Sequence, residues 1–176
     1  MNPSLTLDRC VVRGTHAHKG RTRSLDPTTT AAKQLHYGRV VLDGADSPLR
    51  FPTGHLETGL IALRGRAEVK TGGRSFPMGP YDALYVPRDS EVEVVPGPEG
   101  CDLAEVAAPV DKAYPLQFVA WADVQKDPGL HFKAGAPPTE RMLNVLIGKN
   151  VEAGRIVAGV TFPAPGNWMS WPPHEH

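Results

Sequence analysis

AEVKTGGRSFPMGPYDALYVPRDSEVEVV, residues 67–95, is the stretch that decides the fold. Near its end Glu91, Val92, Glu93 and Val94 alternate charge with apolarity. That two-residue period belongs to a strand with one face in water and the other in a core. Near its start Gly72 and Gly73 stand between Val69 and Phe76, and paired glycines accept the positive φ angles of a tight hairpin turn. Between these features lies the apolar run Ala83, Leu84, Tyr85, Val86, bounded by turn residues. The stretch predicts an antiparallel all-β unit.

Working outward, further strand-like runs occur at 37–42, 59–63 and 102–107, nearly all separated by turn residues. The 18 glycines and 18 prolines fall between such runs rather than in one tract, which favours many short strands over helices. Residues 13–33 are polar, include Thr28, Thr29 and Thr30, and show no apolar period. They read as an arm or poorly ordered lead-in, with folding proper beginning near Leu35. Residues 110–142 are richer in Pro and Gly, hold one expected helical turn at 121–126, and read as a connector wrapping the first unit. Two strands follow at 143–147 and 155–162, the second placing Ile156, Ala158, Val160 and Phe162 on one face.

A chain of 176 residues fits one ordinary domain, or one domain and part of another. With 19 basic and 19 acidic residues and no long block of one sign, it carries no electrostatic footprint for nucleic acid or anionic lipid. A small-molecule or protein partner is expected instead. The only cysteines, Cys10 and Cys101, form no short-spaced metal pattern and read as free thiols in a reducing compartment. Asp8 and Arg9 stand where a signal peptide needs an apolar core, and no run reaches membrane-spanning length, so a soluble cytoplasmic protein is expected.

The turn Pro77, Met78, Gly79, leading into the strand at 83–86, resembles the second motif of the cupins, where a histidine ligand stands at the position of Asp82. The run from Gly59 to Gly65 resembles the glycine-terminated strand of the first motif. Counting back from Gly65, Thr58 takes the place of the family's glutamate, and Thr53 and Phe51 the places of its two histidines. The resemblance implies an all-β, cupin-type barrel (a double-stranded β-helix or jelly roll) without its metal. Residues 165–176, PGNWMSWPPHEH, resemble a segment of the 5-deoxy-glucuronate isomerase family, two-cupin chains in which it opens the metal site of the second barrel. The implied layout is an N-terminal arm at 1–34, a degenerate N-terminal cupin barrel at 35–118, a connector at 119–142 and the first strands of an incomplete second cupin at 143–176. The chain then reads as a piece of a longer one. A barrel interrupted after two strands leaves unpaired edges, so residues 143–162 are expected to dock on the first barrel or on a second chain.

On a strand, residues two apart point to the same side, so His174 and His176 can present two imidazoles to one cation while Glu175 faces away. Two ligands are half a site, and the family supplies a glutamate and another histidine farther along. The resemblance implies a divalent metal (Zn, Mn or Fe), which this shortened chain need not retain. It also implies Asn167, Trp168 and Trp171 lining the substrate approach, with packing at a barrel mouth as the other reading. The implied activity converts a uronic acid between aldose and ketose, 5-deoxy-glucuronate to 5-dehydro-2-deoxy-gluconate, in a homo-oligomer; no base is named. Ketol-isomerisation of a pectin-derived hexosulose uronate and a metal-free barrel binding a sugar acid or a partner remain open. His55 and Glu57 could face one cavity with His36, although their spacing to Gly65 misses the ligand register and a surface pair is the preferred reading. His16 and His18 read as solvated, and Asp82 as a turn or hydrogen-bonding residue.

Overall fold

A computed structural model describes residues 12–30 and 32–169. In chain order the strands are β1 (Gly20–Leu25), β2 (His36–Leu42), β3 (Leu49–Pro52), β4 (Leu56–Thr71), β5 (Arg74–Met78), β6 (Ala83–Val86), β7 (Glu91–Pro109) and β8 (Gln117–Val119). They are followed by helix α1 (Trp121–Val124) and strands β9 (His131–Ala134), β10 (Arg141–Ile147) and β11 (Ala158–Pro163). No helix among these residues is long and apolar enough to cross a membrane.

The antiparallel strands β4 and β7 form the spine. One half of this ribbon is flanked by β2 and β1 on the β7 side and by β6 and β8 on the β4 side; the other half is flanked by β3 and β5. Each spine strand was expected as two strands, because Arg64, Gly65 and Arg66, and the run from Pro96 to Gly100, look like turns. They are places where the ribbon bends instead. The register shifts between Gly65 and Ala67, and Gly65 has φ of 65°, with the carbonyl oxygen of Gly100 only 2.1 Å from where a Cβ would sit. A glycine there lets two backbones meet at a β-bulge. The expected hairpin is present: Thr71 pairs with Arg74 across Gly72 and Gly73, whose φ angles are 57° and 71°.

The bend encloses an apolar interior built from both halves of the ribbon. Leu60, Ala62 and Val69 of β4, Leu84 and Val86 of β6, Val92, Val94 and Leu103 of β7 and Phe51 of β3 all face it. A second core covers the outer face of the same strands, where Ile61, Ala83, Tyr85, Ala104 and Ala108 meet Leu146, Ile147, Val151 and Ile156. β6 is therefore buried at every residue, which explains an unbroken apolar run where a half-exposed strand would alternate. The expected docking of residues 143–162 is intramolecular, onto the barrel.

Of the two readings of residues 13–33, an arm or a poorly ordered lead-in, the second is corrected. β1 lies within that stretch and pairs with β2, anchored by Arg21, whose Nε and Nη2 donate to Glu105 at 2.7 and 2.6 Å. Arg21 also lies 3.9 Å from the centroid of the Phe51 ring. The connector likewise contains β8, paired with β6, and β9, which joins β10 and β11 in a three-stranded sheet.

Candidate functional site

None of the four positions of the first barrel that correspond to cupin metal ligands carries a histidine or a glutamate. Phe51 is 4% exposed and packs into the interior. The Thr53 hydroxyl donates to the Pro87 carbonyl at 3.0 Å and accepts from the Ser90 N–H at 2.9 Å. Thr58 is fully buried on β4. The Asp82 carboxylate accepts the Gly79 N–H and, at the start of α1, the Trp121 N–H, both at 2.8 Å. A phenyl ring, two hydroxyls and a carboxylate committed to backbone donors do not fit a divalent cation. Among the described residues no three His, Cys, Asp or Glu gather where they could hold one.

His36, His55 and Glu57 do not share a cavity. His36 Nδ1 lies 3.1 Å from Asp26 Oδ2. The Asp26 carboxyl is held below the usual range, first by the Thr28 hydroxyl and N–H and then by His36. His55 is exposed. The reading of His55 and Glu57 as a surface pair is corrected for Glu57, which is fully buried. Its Oε2 accepts the Tyr85 hydroxyl and the Gly154 N–H, both at 2.7 Å. Its Oε1 accepts the N–H groups of Arg155 at 2.5 Å and Ile156 at 2.8 Å. Burial, together with the neighbouring carboxylate, pushes the Tyr85 phenol well above its ordinary range. Four donors satisfy a charge that would otherwise be costly in an apolar setting.

The three-stranded sheet meets the barrel at a second point. Phe162 of β11 packs edge-on against Tyr81 and Trp121, with ring centroids 5.3 and 6.2 Å apart. Tyr81, held at φ of 70°, also meets Trp121 at 5.1 Å. Immediately after β11, the Asn167 side-chain amide donates to the Glu140 carbonyl at 3.1 Å, and the Trp168 N–H donates to the Pro138 carbonyl at 2.8 Å. Asn167 and Trp168, both anticipated, thus sit in one loop fastened to the turn before β10, with Trp168 58% exposed. Trp171, His174 and His176 lie outside the described residues.

His131, on β9, was not anticipated. Its Nδ1 lies 2.6 Å from Oδ1 of Asn144, a buried side chain on β10. The Asn144 nitrogen donates to the Val160 carbonyl at 3.0 Å, which turns its oxygen toward the ring. That orientation suits a ring that donates from Nδ1. No spacing motif marks this pair, because the register of β9 against β10 creates it.

Comparison with known proteins agrees with this architecture. Over 158 residues the chain is 30% identical to 4-deoxy-L-threo-5-hexosulose-uronate ketol-isomerase of Cereibacter sphaeroides, covering 80% of this chain and 55% of that protein. Over 141 residues it is 30% identical to 5-deoxy-glucuronate isomerase of Geobacillus kaustophilus, covering 73% and 48%. The chain spans about half the length of the curated relatives it matches. An IolB-like protein from Salmonella typhimurium LT2 superimposes with a TM-score of 0.76 at 19% identity, covering 88% of this chain and 60% of that one, and shows the shared cupin-type fold. Residues 10–176 match the KduI/IolB family, and the chain belongs to that family.

Proposed function

We propose that this chain is the N-terminal barrel and second-barrel opening of an aldose–ketose isomerase acting on a uronic acid, 5-deoxy-glucuronate being the preferred substrate. The observation that carries the reading is the family match running through the tail that holds Trp171, His174 and His176. The isomerisation removes a proton from the carbon beside the carbonyl, passes through an enediolate and returns the proton to the former carbonyl carbon. A divalent metal (Zn, Mn or Fe), when bound, polarises the carbonyl oxygen. His174 and His176 are the residues that would hold it, and imidazole donors suit all three ions. Asn167, Trp168 and Trp171 would line the approach. The same reading makes a small sugar acid the partner, without nucleic acid or membrane, in a cytoplasmic homo-oligomer.

Ketol-isomerisation of a hexosulose uronate is the second reading, favoured by the longer stretch of this chain that aligns with those relatives. A metal-free barrel that binds a uronate is the alternative of a different class. One experiment separates the three. The full-length protein is analysed for bound metal and offered each uronate, with product followed by NMR. Close to one divalent ion per chain, removed by His174→Ala, and turnover of 5-deoxy-glucuronate are expected. Turnover of the hexosulose uronate alone selects the second reading, and a metal-free chain that binds uronates without turnover overturns both isomerase readings.

A further inference from the structure

Where the segment leading into β11 docks on β7, the two leave a groove of about 410 Å³. Its deeper side is Val106, Ala108 and Ile156, the last two buried. Its rim carries Leu35 and Val157, both exposed, and Val157 at 80% is the most exposed large hydrophobic residue among those described. Gln34 and Arg155 complete the lining. The groove lies outside the barrel interior and shares no residue with the loop of Asn167 and Trp168.

Arg155 is the one charged side chain of this lining, and among the described residues it has no carboxylate partner. Its Nη1 donates to the Gln34 side-chain oxygen, which leaves the edge formed by Nε and Nη2 unbonded. Two parallel N–H groups on that edge match the two oxygens of a carboxylate. The backbone beneath is already fixed, because the N–H groups of Arg155 and Ile156 both donate to the buried Glu57, so little order remains to be gained on binding. A concave, mostly aliphatic site with one cation at its rim selects an anion with an apolar body. A sugar acid does not suit it: Gln34 is the one neutral hydrogen-bonding side chain of the lining and already serves Arg155, and hydroxyls buried without partners are costly. We propose that the groove is a second ligand site that takes a small aliphatic monocarboxylate, its head on Arg155 and its chain over Val106, Ala108 and Ile156. The site does not depend on the isomerase reading above.

Octanoate is the probe, titrated into the full-length protein and followed by methyl NMR, with octanamide and glucuronate as comparisons. Octanoate should bind saturably and shift the methyl resonances of Leu35, Val106, Ile156 and Val157. Octanamide lacks the charge and glucuronate lacks the apolar chain, so each should bind at least tenfold more weakly. Arg155→Met keeps an unbranched apolar stem but removes the partner of the head group, and should weaken octanoate tenfold or more. Val157→Asp sets a like charge at the rim and should weaken it at least as much. Both positions are exposed, so both variants should keep the wild-type Tm; if either does not, the comparison of ligands on the wild type decides alone. Equal affinity for octanoate and octanamide, affinity that survives Arg155→Met, or shifts confined to other methyl groups would mean unspecific adsorption and overturns the proposal. Glucuronate binding as tightly as octanoate at the same methyl groups overturns the ligand class.

Discussion

Gly59 has no unusual backbone angle, yet its missing side chain sets how closely the sheet docks. A methyl group there would sit 2.6 Å from Ile147 Cδ1 and 3.0 Å from Val106 Cγ2, inside van der Waals distance on two sides. Gly59→Ala should cost about 1–3 kcal/mol as overpacking, measured by urea unfolding, although alanine is the better strand residue. Arg21 makes the complementary case. The Glu105 side chain is 2% exposed, and without Arg21 it would keep only Arg23, at 3.3 Å. Arg21→Ala should therefore destabilise the fold by about 3 kcal/mol, because a buried carboxylate left short of partners costs more than the intact pair contributes. The same calorimetric or denaturant experiment with Arg23→Ala should show the smaller loss.

Among the elements, β7 shows how a strand face that looks merely solvated is tied to its neighbours. Glu93 pairs with Arg50 across β3 and with Lys70 across β4, the lysine at 3.3 Å. Arg50 first, then Lys70, holds its carboxyl below the usual range. A depressed carboxylate contributes stability that is fully present above its unfolded pKa and lost as pH falls through the folded one. The ladder should therefore loosen only in acid. An NMR titration should place the Glu93 midpoint below that of an unpaired glutamate, with Arg50→Ala or high salt moving it up. The alternation that carries Glu93 was plain in the sequence, as was the turn at Gly72 and Gly73, because both follow from local chemistry. β1 was not, since Arg21 and Arg23 find their partner in Glu105, 84 and 82 residues away, and the strand pairs only with β2. The short β3 was missed for a related reason, since Pro52 argues against a strand until its place at the end of a bent ribbon is known. The site divides in the same way. Asn167 and Trp168 were named from a motif, whereas the contacts of Glu57 and the pairing of His131 with Asn144 join distant stretches that no motif marks.

At the scale of the whole molecule, the barrel and the three-stranded sheet share strands rather than merely touching. β4, β6 and β7 present Leu60, Leu84 and Leu103 to the barrel interior and Ile61, Tyr85 and Ala104 to the sheet. Unfolding either core strips one face from the same three strands, so the two should melt as one unit. The distribution of tryptophan makes this measurable. All three, Trp121, Trp168 and Trp171, follow β8 in the chain, so the eight barrel strands contain none. Trp121, which packs against Phe162 of β11, reports the docked side by fluorescence, while far-UV circular dichroism is dominated by the barrel. The two signals should give one denaturant midpoint. Ile147→Ala, which empties a buried position against Gly59, should lower both midpoints together by about 2–5 kcal/mol of stability. A fluorescence transition that precedes the loss of strand signal, in the wild type or in Ile147→Ala, would show that the barrel stands without its sheet. The shared strands would then be a point of contact rather than a common core.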